Sequence, residues 1–166
     1  MKTKHRNASR AKRQARMLDG GLINKVLTNV AKLTPGEVAQ AITPMRAAML
    51  ALKRRTATEL DWMWLVTCAQ IGMSIERQGV VRGLAQHLQA ALDVCSTIAD
   101  RACTTGQWCS PCLRGSEIET LDTAIDLHEY QLQQLSYGEF IQASERAHRY
   151  ISSTGGQVVH VEGLHA

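Results

Sequence analysis

Aromatic side chains are scarce in this chain: one Phe, three Trp and three Tyr make up 4% of its 166 residues. A core built with so few of them rests on Ala, Leu, Ile, Val and Met, a mixture that favours helices. Also missing is any run near the roughly 18 to 20 apolar residues of a membrane span. The charged N-terminus has no apolar stretch behind it of the kind a secretory leader carries, so a soluble, cytoplasmic protein without membrane contact is expected. Five cysteines (Cys68, Cys95, Cys103, Cys109 and Cys112) are an odd number, and without a secretion signal they do not suggest a disulfide framework. The last absence is local. Residues 1–16 contain no Asp or Glu at all.

In that same stretch stand seven cations: Lys2, Lys4, Arg6, Arg10, Lys12, Arg13 and Arg16. The other 150 residues hold twelve basic and fifteen acidic groups, so the net charge of +4 divides into +7 for a short arm and −3 for the body. The chain reads as three parts: a flexible basic arm (1–16), a helical bundle domain (17–154) and a mobile tail (155–166). A body of this size buries roughly 70% of its unfolded surface, enough for one core. The expected fold is all-α, a single-domain bundle of about five to six helices with a disordered basic N-terminal arm.

Helix starts are marked by Ser or Thr followed three residues later by Glu, the reciprocal pattern that satisfies orphan amides. Four such boxes occur: Thr34 with Glu37, Thr56 with Glu59, Ser116 with Glu119, and Ser136 with Glu139. Pro35 suits a first helical position, and Gly79, Gly106 and Gly155-Gly156 are natural stops. Helices are expected over 22–32, 35–54, 59–77, 81–104, 117–135 and 137–153, with Pro44 kinking or splitting the second. Leu84, Leu88, Leu92, Cys95 and Ile98 form one apolar stripe; Ile118, Leu121, Ile125, Leu132 and Leu135 form another. Helix 59–77 is apolar on two sides. One carries Trp62, Leu65, Val66, Ala69 and Met73, the other Leu60, Trp64, Cys68, Ile71 and Ile75. Such an element is either the central helix of a bundle or half of a subunit interface, with Trp62, Trp64, Leu65 and Met73 as the interface residues. Val158, Val159 and Val161 suit a short strand in the last ten residues or leave them mobile.

Few residues carry chemistry. The arm, through Lys4, Arg6, Arg10, Lys12, Arg13 and Arg16, suits DNA or RNA phosphates; the alternative is a solubilising tail. Lys53-Arg54-Arg55 falls where the helix dipole favours cations, and it reads as structural. Cys109-Ser110-Pro111-Cys112 places two thiols at a chelating spacing, but completing a site needs both Cys103 and Cys95, or His87. The spacing matches neither a zinc ribbon nor a finger, so no metal and no cofactor are expected; Cys103, Cys109 and Cys112 are the residues that would hold one. Asp122, Asp126 and Glu129 share a helical face, either solvated or open to a cation or a basic partner. His128 and His148 sit on neighbouring expected helices without a nucleophile and orienting acid beside them. There is no phosphate-cradling Gly-rich loop and no DNA-reading helix pair. The expectation is a protein that binds and does not catalyse.

The order Leu33-Thr34-Pro35-Gly36-Glu37, Glu59-Leu60-Asp61-Trp62, Thr105-Gly106-Gln107-Trp108, Ala124-Ile125-Asp126-Leu127-His128-Glu129-Tyr130-Gln131-Leu132 and the Arg146 to Arg149 region resembles a group of small uncharacterised proteins of bacterial temperate phages and prophages. The resemblance spans roughly residues 33–150. It implies an accessory or regulatory role in a bacterial host cell, since members are sometimes labelled transcriptional regulators. Cys109 and Cys112 depart from the group's pattern. Partners implied by the whole reading are DNA or RNA through the arm, or a host protein or second copy of the chain through the apolar helix.

Overall fold

In the computed structural model, residues 29–154 are described, and they contain five helices. These are α1 (Pro35–Lys53), α2 (Glu59–Gln78), α3 (Ala85–Ala102), α4 (Gly115–Gln134) and α5 (Tyr137–Ser153). The protein is an all-α helical bundle. The arm and the tail, with most of the expected helix 22–32, lie outside the described residues. Residues 29 and 30 are helical, but the chain then straightens. Lys32 bridges Ser136 in antiparallel fashion, Leu33 N–H donates to Leu135 O (3.0 Å), and Tyr137 N–H donates to Ala31 O (2.9 Å). Backbone groups that a helix would have used are spent on the α4–α5 linker.

Two of the four capping boxes form as expected. Thr34 and Glu37 cap α1, with the Glu37 carboxylate accepting from Thr34 N–H at 2.7 Å, and Ser136 and Glu139 cap α5. The other two are displaced by two residues. Thr58 with Asp61 caps α2, because Thr56 N–H is taken by Ala51 O in closing α1. Helix α4 begins at Gly115, and Glu117 accepts from Arg114 N–H at 2.8 Å. Helix α3 starts at Ala85, four residues later than the apolar pattern suggests. Gly83 sits at φ 97°, and the Glu76 carboxylate caps from a distance, accepting from Gly83 N–H (2.7 Å) and Leu84 N–H (3.2 Å). Pro44 does not split α1, which runs through it to Lys53.

Helices α1 to α4 form a ring in which each packs on two neighbours, with α2 touching α4 across the centre and α5 packing on α2. Helix α2 is therefore the central helix. Its dual apolar character follows from having neighbours on several sides: Leu65, Cys68, Ala69, Ile71 and Ile75 are buried. Gly72 is required by close approach, since a Cβ there would stand 3.0 Å from both Leu88 Cδ2 and Gln131 Oε1. On α5 a narrower stripe of Phe140, Ala143, Ala147 and Ile151 is buried. No helix among the described residues is long and apolar enough to cross a membrane.

Candidate functional site

Trp62, Val66, Gln70, Met73 and Arg77 recur at helical spacing along one face of α2, and that face lines a groove whose far wall is α3. The side expected to hold Trp62, Leu65, Val66, Ala69 and Met73 divides in the structure. Leu65 and Ala69 turn into the core at 0% and 1% exposure, while Trp62, Val66 and Met73 stay half-buried at the groove. Leu65 is thus unavailable to a partner, and Trp64 packs half-buried against the core without lining the groove. Leu92, Asp93, Ser96 and Ala99 supply the α3 wall, and Tyr150 of α5 also lines the groove. Two adjoining cavities of about 440 Å³ and 490 Å³ share Met73, Gln89 and Asp93. They make one continuous open trough of a size that suits a peptide segment.

The groove is mixed in chemistry. Trp62 donates its indole N–H to Cys95 O at 2.9 Å, which holds the ring in place. The Arg77 guanidinium stands 5.9 Å from the centroid of the Tyr150 ring, within cation–π range. Asp93 on the opposite wall accepts from Gln89 Nε2 at 2.9 Å. Such a trough can hold an extended or helical segment by apolar contact and orient it by one cation and one anion. Cys95 is no nucleophile here, since burial pushes its thiol up to about 12; Cys68 is shifted to about 12 in the same way.

The remaining expected features are placed as follows. Asp122, Asp126 and Glu129 of α4 are a recipient of basic groups, and the groups come from α1. Arg46 pairs with Asp126 at 3.1 Å and with Glu129, and Lys53 pairs with Asp122 at 2.8 Å. Those bonds raise the Arg46 pKa, Glu129 contributing most. Cys103, Cys109 and Cys112 are exposed free thiols. Residues 108–114 run without turn or bend. Among the described residues no group of three or more His, Cys, Asp or Glu is arranged to hold a metal ion. His128 is buried and its Nδ1 lies 3.2 Å from Gln131 Oε1, while Gln131 Nε2 donates to Gly72 O at 3.2 Å. Because that amide oxygen accepts, Nδ1 carries the hydrogen. Desolvation lowers the His128 pKa and keeps the ring neutral. The arm cations Lys4, Arg6, Arg10, Lys12, Arg13 and Arg16 lie outside the described residues.

Sequence reasoning missed Arg77 and Tyr150 as groove residues, although the 62, 66, 70, 73, 77 spacing carried Arg77. It also missed Arg101, whose guanidinium donates to Glu117 Oε1 (2.6 Å) and Oε2 (2.7 Å) in a bidentate pair. No spacing rule joins these two, because a loop intervenes. No protein-family model, curated protein or solved structure matches the chain.

Proposed function

We propose that this is a non-enzymatic accessory or regulatory protein of a phage or prophage, acting inside the bacterial host cell, whose basic arm contacts the phosphates of DNA or RNA. The observation that carries this reading is charge segregation: seven cations and no acid in residues 1–16, against a body of net charge −3. The bundle supports it in one respect. The carboxylate stripe of α4, an intramolecular partner for a basic arm, already pairs with two cations of α1, Arg46 and Lys53. Residues 31–33 are fixed to the α4–α5 linker.

Binding of this kind gains most of its free energy from counterion release, and log K falls by about 0.9 per phosphate contacted for each unit of log salt on duplex DNA. A salt titration with mixed duplex DNA and structured RNA, comparing the full chain with one starting at Met17, tests it. Steep salt dependence that vanishes with the arm is expected. Undiminished binding by the shorter chain, with its helical content intact, overturns the reading.

A second reading is favoured by the groove, where Trp62 and Met73 stand half-buried beside Leu92: an interaction module for a host protein or a second copy of the chain, with no nucleic acid. Sedimentation equilibrium of the full chain tests the second-copy form. A dimer lost in Met73→Glu supports it, and a strict monomer ends it.

A further inference from the structure

The loop after α3 turns back on the helix it leaves. Gly106, at φ 77°, donates its N–H to Cys103 O at 2.9 Å, and Cys109 N–H donates to Ala102 O at 2.9 Å. The returning segment is also held from outside, since Trp108 gives its indole N–H to Ala57 O at 2.8 Å. Ala102 O belongs to the planar peptide unit that ends at the nitrogen of Cys103. One peptide unit and one hydrogen bond therefore separate the backbones of Cys103 and Cys109.

Both residues are exposed and both thiols are free. A disulfide requires Cα atoms about 4.4–6.8 Å apart, and paired residues on hydrogen-bonded neighbouring backbones stand about 4.5–5.5 Å apart. Exposed cysteine side chains also change rotamer without displacing packed neighbours. The third exposed thiol is placed differently. Cys112 follows Cys109 along a segment with no turn or bend, and it lies within electrostatic reach of Arg101, whose guanidinium is bonded to Glu117 of α4. Cys103 stands two residues beyond Arg101, about 200° round the helix axis at 3.6 residues per turn. The remaining thiols, Cys68 and Cys95, are buried.

We propose that Cys103 and Cys109 form a site of reversible oxidation, closed to a disulfide by a hydroperoxide and reopened by a thiol reductant. One thiolate attacks a peroxide oxygen; the S–O bond forms as the O–O bond breaks, and the other oxygen leaves with a proton as an alcohol, or as water from hydrogen peroxide. The second thiolate attacks the sulfenic sulfur, the S–S bond forms as the S–O bond breaks, and hydroxide leaves with a proton as water. The two sulfurs together give up two electrons, which the peroxide accepts, and thiol–disulfide exchange returns them. Trp108 lies within the closed ring, so oxidation ties to α3 the indole that packs against Trp62 at the groove. This assignment depends on neither functional reading above.

Treatment of the full chain with a small excess of hydrogen peroxide, followed by alkylation and mass mapping, tests it. The tryptic peptide from Ala102 to Arg114 holds all three exposed cysteines. It is expected to lose two hydrogens in mass and to carry its one alkyl group on Cys112, with dithiothreitol restoring three alkylated positions. Cys112→Ser should form the link at the parent's rate, while Cys103→Ser and Cys109→Ser each abolish it. The urea midpoint of the parent should rise on oxidation, since the backbone is already in place for the bond. A link that includes Cys112, a link between two chains, or oxidised thiols that remain unlinked overturns the proposal. A midpoint lowered by closure overturns it as well, because the two backbones would then have been forced together.

Discussion

The rings of Trp62 and Trp108 lie 6.0 Å apart, tilted by 43°, and each is anchored through its own indole N–H. Trp62 donates to Cys95 O at 2.9 Å and Trp108 to Ala57 O at 2.8 Å. Between them the two indoles join α2, α3, the α1–α2 linker and the loop of residues 103–114. That loop has no regular structure of its own, and Cys103 N–H donating to Ala99 O and Cys109 N–H donating to Ala102 O, each at 2.9 Å, tie it to α3. The aromatic scarcity of the chain thus has a structural counterpart: two of its three tryptophans are spent on one junction.

Trp108→Phe keeps an aromatic face against Trp62 but removes the donor to Ala57 O, and is expected to cost about 1–2 kcal/mol. Trp108→Ala also loses the packing of a half-buried indole and should cost about 2–4 kcal/mol. Urea denaturation of the two variants against the parent measures both. A Trp108→Ala midpoint equal to the parent's would show that the junction contributes nothing.

Arg101 and Glu117 join α3 to α4 with a buried carboxylate, whose side chain is 7% exposed. The two hydrogen bonds from Arg101 hold the Glu117 pKa below its ordinary 4.5. With the folded value depressed, the pair's contribution is complete above the unfolded pKa and is lost as pH falls below about 4.5. Glu117→Ala leaves the guanidinium without its acceptor and should cost about 2–4 kcal/mol at pH 7, since breaking one side of a largely desolvated pair strands the other. The difference between variant and parent should shrink as pH falls from 5 to 3. Equal stabilities at pH 7 would rule out the proposed role.

The fold was legible where local chemistry acts alone. Thr34 with Glu37 and Ser136 with Glu139 are short-range devices, and Gly79 at φ 80° ends α2 where a left-handed residue was required. What escaped depends on contacts distant in sequence. Nothing near Gly83 announces that the Glu76 side chain caps α3, and nothing near Thr56 reveals that its amide is already used by Ala51 O. The groove was half legible. Trp62 and Met73 lie on it, but Leu65, from the same apolar side, points into the core. Periodicity gives the face of a helix; only its neighbours decide which part of that face stays uncovered.

His128 is buried and neutral, its pKa lowered by desolvation from the ordinary 6.5. The unfolded chain binds a proton there as pH drops through 6.5, and the folded chain does not, so stability falls as pH is lowered from about 7 toward 5. Replacing His128 by Leu should flatten the stability curve over that window, with a loss of about 1–3 kcal/mol at pH 7 from leaving Gln131 Oε1 without its donor. Denaturation midpoints at pH 5, 6 and 7 check it. A slope unchanged in the variant would assign the pH dependence to another group.

Arg55 holds a left-handed backbone at φ 59°, among the described residues the one non-glycine at positive φ. Its place explains the conformation. After α1, Arg55 N–H donates to Leu52 O and Thr56 N–H to Ala51 O, each at 3.0 Å, the paired closure that terminates a helix through a residue in the left-handed region. Glycine usually fills that position because a Cβ there crowds the carbonyl, at about 1 kcal/mol or more. Arg55→Gly should therefore raise stability by about 0.5–1 kcal/mol, net of the extra backbone entropy glycine loses on folding. If the same substitution leaves stability higher but weakens DNA or RNA binding at low salt, Arg55 adds to the basic surface and the strain is retained for its charge. Raised stability with unchanged binding makes Arg55 a cap residue alone, and reduced stability would refute the strain argument.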